Sequence, residues 1–267
     1  MRCAVLGDPV AHSLSPVLHR AAYDATGLDW RYDALRVAAG GLEGLVAGLG
    51  EEWRGLSVTM PLKREALDVA AEASPVAELA GAANTLVRGT AGWSADNTDV
   101  PGAVAALRER LPSPPVVATI LGGGATAAST ALALCELGAG SLTLLVRSPA
   151  RAAETLAAID AHRARPAVRV GSLETDDVVG DLVVSTIPAE AQSPGLVARC
   201  AGVPALFDVV YDPWPTPLVA AAGDRPLVTG LDLLVHQAAL QFSLFTGLAA
   251  PLAEMRAAGE AALGRSR

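Results

Sequence analysis

Short apolar runs of β-branched character alternate with alanine-rich stretches of helical length through most of this chain. The second half shows it best: "VVATILG", "SLTLLV", "AVRV", "DLVVSTIP", "ALFDVVY" and "PLVTG" are each strand-sized, with helical or loop-like segments between them. Strands buried on both faces read as continuous apolar runs, and neighbouring parallel strands need a crossover, usually a helix. The pattern therefore predicts an α/β fold of βαβ units around a largely parallel sheet. In the first hundred residues it predicts strands at "CAVLG", "RYDALRV" and "GLSVTM", and helices after Ser15, around 41–49, and from Leu62 to about Ala71. "NTLVR" and "GWSADNT" form a two-stranded excursion that turns at "GTAG", "VPGAVAALRER" is helical, and "LPSPP" is the best linker candidate. From Leu231 to about Leu263 two helices are expected, split near "TGLAAP", with Leu234, Ala238, Phe242 and Phe245 at helical spacing.

Composition narrows the function classes. The 267 residues are 51% hydrophobic, ample for one large core or two modest ones. A formal charge of −8 without a basic cluster argues against nucleic-acid binding. Cys3, Cys135 and Cys200 are odd in number and widely spaced, which predicts buried reduced thiols and a cytoplasmic location. Neither the cysteines nor His12, His19, His162 and His236 have metal-ligand spacing. The uncharged stretch from Leu111 to Cys135 is long enough to span a bilayer. Its three prolines and the triplet "GGG" predict instead a loop, strand, glycine turn and helix, so no membrane partner is expected.

Lys63, in "SVTMPLKRE", is the one lysine among 20 cationic side chains; the rest are arginine. Arginine keeps its proton in a protein, whereas a lysine ammonium can donate and recover one. Lys63 is therefore a candidate acid/base as well as a possible leftover surface residue.

"ILGGGATAAS" places Gly122 and Gly124 directly after a strand, with Ala127 at the third position of G-x-G-x-x-A and a helix beginning there. That context predicts a dinucleotide site, with a pyrophosphate held at the helix N-terminus. At the end of the next strand, where NAD enzymes usually carry a carboxylate for the ribose, stands Arg147, followed by Ser148 and Arg151. These suit a 2′-phosphate and point to NADP.

Four polar clusters in the first hundred residues, "AHSLSP", "SVTMPLK", "GAANTL" and "ADNTD", fall at predicted strand ends or turns, where α/β folds present side chains to ligands. Each alone reads as a cap or turn. Together they supply hydroxyl, amide, ammonium and carboxylate groups suited to a small polyhydroxylated carboxylate.

With "VLGDPVAHSLSPVLH", "VTMPLK", "GAANTL", "DNTDVPG", "LGGGATA", "YDPWPTPL" and "GLDLLVHQAALQF" in this order, the chain resembles the NADP-linked shikimate dehydrogenases over nearly its whole length. The resemblance implies a substrate-binding domain at 1–100, completed by helices at 236–267, and a Rossmann-type NADP-binding domain at 101–235, with the active site in the cleft between them. It implies NADP-dependent reversible reduction of 3-dehydroshikimate to shikimate, by a monomer or homodimer. Ser13 and Ser15 would bind the substrate carboxylate, with Tyr211 close to them. Thr59, Asn84, Asp99 and Gln237 would face the ring hydroxyls. Lys63 and Asp99 would flank the reacting oxygen, the proton passing through Lys63 alone or through the coupled pair. Gly122, Gly123, Gly124, Ala125, Thr126, Arg147, Ser148, Arg151, Thr186, Val209, Gly230 and Leu233 would line the cofactor.

The chain departs from the family pattern at Ser57 (usually Asn), Val146 (often Asn), Leu233 (commonly Met) and Phe245 (frequently Trp), and "STIPAE" replaces a longer loop. Two other readings stand beside this one. One is a broader quinate/shikimate dehydrogenase, and the other a non-catalytic sensor of a shikimate-pathway metabolite.

Overall fold

A computed structural model describes residues 1–265, which divide into two compact units. The first comprises residues 1–98 and those from Leu234 onward; the second is 99–233.

The first unit runs β1 (Arg2–Gly7), α1 (Ser15–Thr26), β2 (Arg31–Arg36), α2 (Leu42–Ala47), β3 (Trp53–Val58), α3 (Glu65–Asp68), β4 (Glu72–Ala73), α4 (Pro75–Ala80), β5 (Thr85–Gly89) and β6 (Gly92–Asp96). Its sheet has the order β2-β1-β3-β5-β6-β4. The apolar run of β1 is buried from Cys3 to Gly7 and lies in parallel between β2 and β3, whereas β2, at the edge, is exposed at Arg31, Ala34 and Arg36 and buries only Tyr32. "NTLVR" and "GWSADNT" enter this sheet as an antiparallel hairpin against β3, so the sheet is mixed rather than largely parallel. One core packs Leu6, Leu56, Val58, Leu62, Leu86 and Trp93.

The helix expected from Leu62 to Ala71 shrinks to the four residues of α3. Two competing hydrogen bonds explain the loss. The Lys63 carbonyl accepts from Ala83 N at 2.7 Å, and Ala71 N donates to Trp93 O at 2.8 Å, which draws the chain into the sheet. The short β4 and α4 follow, elements the apolar pattern does not mark; α4 is capped by Ser74, whose hydroxyl accepts from Ala77 N at 3.2 Å.

The second unit contains α5 (Asp99–Arg110), β7 (Val117–Leu121), α6 (Ala125–Glu136), β8 (Ser141–Val146), α7 (Ala153–Ala161), β9 (Ala167–Ser172), β10 (Leu182–Ser185), α8 (Pro194–Cys200), β11 (Ala205–Asp208), α9 (Pro217–Ala220) and β12 (Leu227–Thr229). The six strands are all parallel, in the order β12-β11-β10-β7-β8-β9. Strand order reverses between β7 and β10, and ligands of such sheets bind at the carboxyl ends of the strands beside that switch. α6 starts at Ala125, two residues before the expected Ala127, with Gly124 in the capping position. The chain then runs through α10 (Gly230–Thr246) into α11 (Leu252–Arg265). All three cysteines are buried and unpaired.

In the first unit, α1 packs on α11, and an aromatic cluster lies between helices and sheet. Gly55 leaves the space that the Phe245 ring fills, since a Cβ there would strike the ring. His19 stacks on Tyr32, with ring centroids 4.2 Å apart and planes within 10°, and faces Phe245 at 5.7 Å. The imidazole is fully buried, and neither nitrogen has a hydrogen-bond partner. Burial pushes its pKa from 6.5 down to about 3, against a weaker upward pull from the neighbouring Gln241 amide. The sign follows directly: above pH 6.5 the ring is neutral folded or unfolded, and as pH falls below 6.5 only the unfolded chain takes the proton. Stability should therefore drop by about 2 kcal/mol between pH 7 and pH 5 from this ring alone. Urea unfolding at both pH values, for the native chain and His19→Phe, tests this. The variant should lose most of that pH dependence, and equal slopes would show that His19 is not its source.

Candidate active site

In the first unit, the polar clusters gather at the ends of β1, β3 and β6 and at the start of β5. β1 ends at Gly7, where a Cβ would collide with the Thr59 side chain and approach Met60 O to 2.8 Å. The backbone clasps there as well: Thr59 N donates to Leu6 O at 2.8 Å and Asp8 N to Met60 O at 3.0 Å. Ser13 closes a turn through its N–H to Val10 O at 3.1 Å, and its Oγ accepts from Ser15 N at 3.3 Å, so the two serines are set as a pair at the start of α1. Ser15 is buried and Ser13 half-buried.

Lys63 lies half-buried in the turn between β3 and α3. Its carbonyl bond from Ala83 N fixes this turn against the turn that carries Asn84. The Asn84 side chain donates to Gln237 Oε1 at 3.1 Å and to Thr98 Oγ1 at 2.9 Å, and its Oδ1 accepts from Thr98 N at 2.8 Å. Asn84 and Gln237, 153 residues apart in sequence, are thus neighbours. Thr98 completes the group and was missed; the signal was its place inside "ADNTD", beside residues that were selected. Asp99 is buried in the first turn of α5.

In the second unit, the cofactor candidates fall into three contacts at the carboxyl ends of the strands. Gly122, at φ +116°, follows β7, and a Cβ there would meet the Thr186 hydroxyl, itself bonded to Leu121 O at 2.9 Å. Gly123 lies against the Arg151 backbone, in the turn closed by Arg151 N to Ser148 O at 3.0 Å. Gly230 lies against the Val209 backbone, and Val209 N donates to Ser185 O at 3.0 Å. Gly124, by contrast, is exposed and faces open space, and no side chain caps α6, whose first residues are Ala125 and Thr126. A helix N-terminus with uncapped N–H groups behind an open glycine fits a pyrophosphate. Arg147, Ser148 and Arg151 are exposed beyond β8. Tyr211 is half-buried in the loop after β11, and Leu233 is buried in α10, in the core cluster against which Val209 packs.

Asp208, fully buried at the end of β11, was also missed. It accepts from Thr216 Oγ1 at 2.6 Å, Gln192 Nε2 at 2.9 Å and Val210 N at 3.2 Å. Burial raises its pKa, opposed first by the Thr216 and Gln192 donors. It ties down both ends of the loop carrying Val209 and Tyr211. "FDVVYDPWPTPL" contained it, but an acid directly after a strand reads equally as a turn residue.

Comparisons with known proteins identify the family. The family model described as the shikimate dehydrogenase substrate binding domain matches residues 5–86, and that of the shikimate 5′-dehydrogenase C-terminal domain matches 230–258. A shikimate dehydrogenase (NADP(+)) from an Anaeromyxobacter species is 40% identical, over 98% of this chain and 96% of the relative. The chain belongs to the shikimate dehydrogenase family. The crystal structure of Mycobacterium tuberculosis shikimate dehydrogenase is 42% identical with a TM-score of 0.86, covering 98% of this chain and 99% of that one. The Thermus thermophilus shikimate 5-dehydrogenase, solved in complex with NADP(H) and shikimate, is 32% identical with a TM-score of 0.82 and the same coverage. Among the described residues, no helix is long and apolar enough to cross a membrane, and no group of His, Cys, Asp or Glu could hold a metal ion.

Proposed function

We propose that this chain is an NADP-dependent shikimate dehydrogenase, interconverting 3-dehydroshikimate and shikimate, and that it works in the cytoplasm. What carries the reading is a likeness at 40% identity over 98% of the chain, together with a sole lysine whose backbone is held beside the Asn84 amide and hydroxyl cluster. The three buried thiols suit a reducing compartment.

The chemistry follows from the groups present. The uncapped start of α6 holds the pyrophosphate, and Arg147 and Arg151 take the 2′-phosphate, with Ser148 beside them. NADPH bound there would supply the hydride that the carbonyl carbon of 3-dehydroshikimate receives. As the C=O bond becomes C–O, the oxygen gains negative charge, which the Lys63 ammonium stabilises and then neutralises by giving up a proton. In the reverse direction the neutral Lys63 amine takes that proton from the shikimate hydroxyl. Asp99 accepts a hydrogen bond from the substrate. Ser13, Ser15 and Tyr211 hold the carboxylate end, and Thr59, Asn84 and Gln237 orient the ring hydroxyls, so that binding fixes which carbonyl face receives hydride.

Spectrophotometric assay of the purified protein with shikimate or quinate against NADP or NAD tests the reading. Shikimate with NADP should be the best pair, with kcat/KM at least about tenfold above quinate with NADP, or ~1.4 kcal/mol. Equal rates on both acids would establish the broad quinate/shikimate enzyme, and no turnover of either would favour the sensor.

Lys63→Arg separates charge from proton transfer. It should lower kcat by roughly 10²-fold or more while leaving the KM for NADP nearly unchanged. Near-normal kcat would mean that positive charge suffices.

Arg147→Ala should raise the NADP dissociation constant at least about tenfold, ~1.4 kcal/mol, and leave NAD binding nearly unchanged. Equal losses for both dinucleotides, measured by fluorescence titration, would mark Arg147 as structural.

A further inference from the structure

Behind the Asn84 cluster runs a second line of polar side chains that the catalytic scheme does not use. The Tyr32 hydroxyl donates to Ser57 Oγ at 2.5 Å, and Ser57 Oγ donates to Gln241 Oε1 at 2.6 Å. Gln241 Nε2 then donates to Asn84 O and to Thr85 Oγ1, each at 2.9 Å, and Thr85 Oγ1 donates to Asn84 Oδ1 at 2.8 Å. Tyr32, Ser57, Gln241 and Thr85 are all at most 4% exposed, so they exchange few of these bonds for water.

Donors and acceptors in the line alternate in one direction only. A carboxamide has one face that accepts and one that donates. Because Gln241 accepts from Ser57, its NH2 group must face Asn84 and Thr85. Because Thr85 Oγ1 receives that NH2, its own proton goes to Asn84 Oδ1. Asn84 Oδ1 also receives Thr98 N, so its NH2 group is left to face Thr98 Oγ1 and Gln237 Oε1. At its other end the line stops at Tyr32, whose ring stacks on His19 of α1. Gln241, one turn of α10 beyond Gln237, meets the Ser57 hydroxyl and completes the relay.

We propose that Gln241, oriented through Ser57 and Tyr32, is a positioning residue that fixes the Asn84 amide and thereby sets affinity for the substrate ring hydroxyls. The proposal rests on the shikimate dehydrogenase reading. It assigns Gln241 no contact with substrate or cofactor, so its removal should loosen substrate binding and leave hydride and proton transfer nearly intact.

The experiment is steady-state kinetics on the full chain with shikimate and NADP, for the native protein, Gln241→Met, Ser57→Ala and Ser57→Thr. Gln241→Met keeps the shape and removes both donors. It should raise the KM for shikimate about tenfold, with kcat within about threefold and the KM for NADP within about twofold of native. Ser57→Ala should act in the same direction, and Ser57→Thr, which restores the hydroxyl, should return the KM for shikimate to within about twofold of native. A shikimate KM unchanged in Gln241→Met and Ser57→Ala would overturn the proposal, as would a loss falling on kcat or on the KM for NADP. If Gln241→Met does not fold, the Ser57→Ala and Ser57→Thr pair decides by the same criteria. Failure of the native protein to oxidise shikimate overturns the functional reading itself, whereas native turnover with unaffected variants overturns the relay alone.

Discussion

Asn84 is where the first unit is tied together, because a buried amide is tolerated only if its polar atoms are met. Its backbone N–H donates to Asp96 O at 3.1 Å, and its carbonyl receives Val58 N at 2.7 Å, which joins β3 to the hairpin. The same carbonyl receives Gln241, and the side chain meets Thr98, Thr85 and Gln237. One residue thus connects the sheet, the end of the first polypeptide crossing and a helix from the far end of the chain. The proposed substrate cluster inherits its rigidity from this satisfaction of buried groups. A loop residue held only by water would not keep its amide in one orientation.

The second unit solves a different problem, which is to bring backbone close to a ligand. Its contacts at the strand ends depend on missing side chains: Gly122 admits the Thr186 hydroxyl, Gly123 the Arg151 backbone and Gly230 the Val209 backbone. Only Gly122 also needs a left-handed φ. Gly124 alone faces open space, so three glycines pack the protein against itself and one leaves room at the start of α6. A G-x-G pattern is weak evidence by itself, since it cannot say which glycine serves packing and which serves the ligand.

What could be read from the sequence followed from which signals are local. β1 and the six strands of the second sheet were legible because burial on both faces makes continuous apolar runs. α3 was overestimated because the residues from Leu62 onward have helical composition, while the bonds that end the helix come from Ala83 and Trp93, which no local pattern announces. Asn84 is marked by the polar cluster "GAANTL" and Gln237 only by the family resemblance, and the structure joins them. Ser57 was noticed only as a departure from the family pattern. Its partners Tyr32 and Gln241 lie within a half-exposed edge strand and an apolar helix, where a single polar group reads as incidental. The spacing of Gln237 and Gln241, one helical turn apart, was the available clue.

The division of labour between arginine and lysine follows from the same need to satisfy buried groups. Arg20 bonds Tyr32 O through two nitrogens, Arg54 bonds Phe245 O and Arg88 O, and Arg199 bonds Leu173 O and Asp176 O. Arg225 gathers the carbonyls of Cys200, Val203, Ala221 and Ala222. A planar fork with five fixed donors collects carbonyls from several segments at once, which a lysine with three donors on a flexible stem does less well. Arginine is therefore the better cation wherever the task is to clamp backbone, and this chain uses it there repeatedly. The fork has one incapacity: it does not release a proton near neutral pH. A lysine ammonium keeps that capacity, which is why the proton-transfer role is proposed for Lys63, its backbone held against the Asn84 turn.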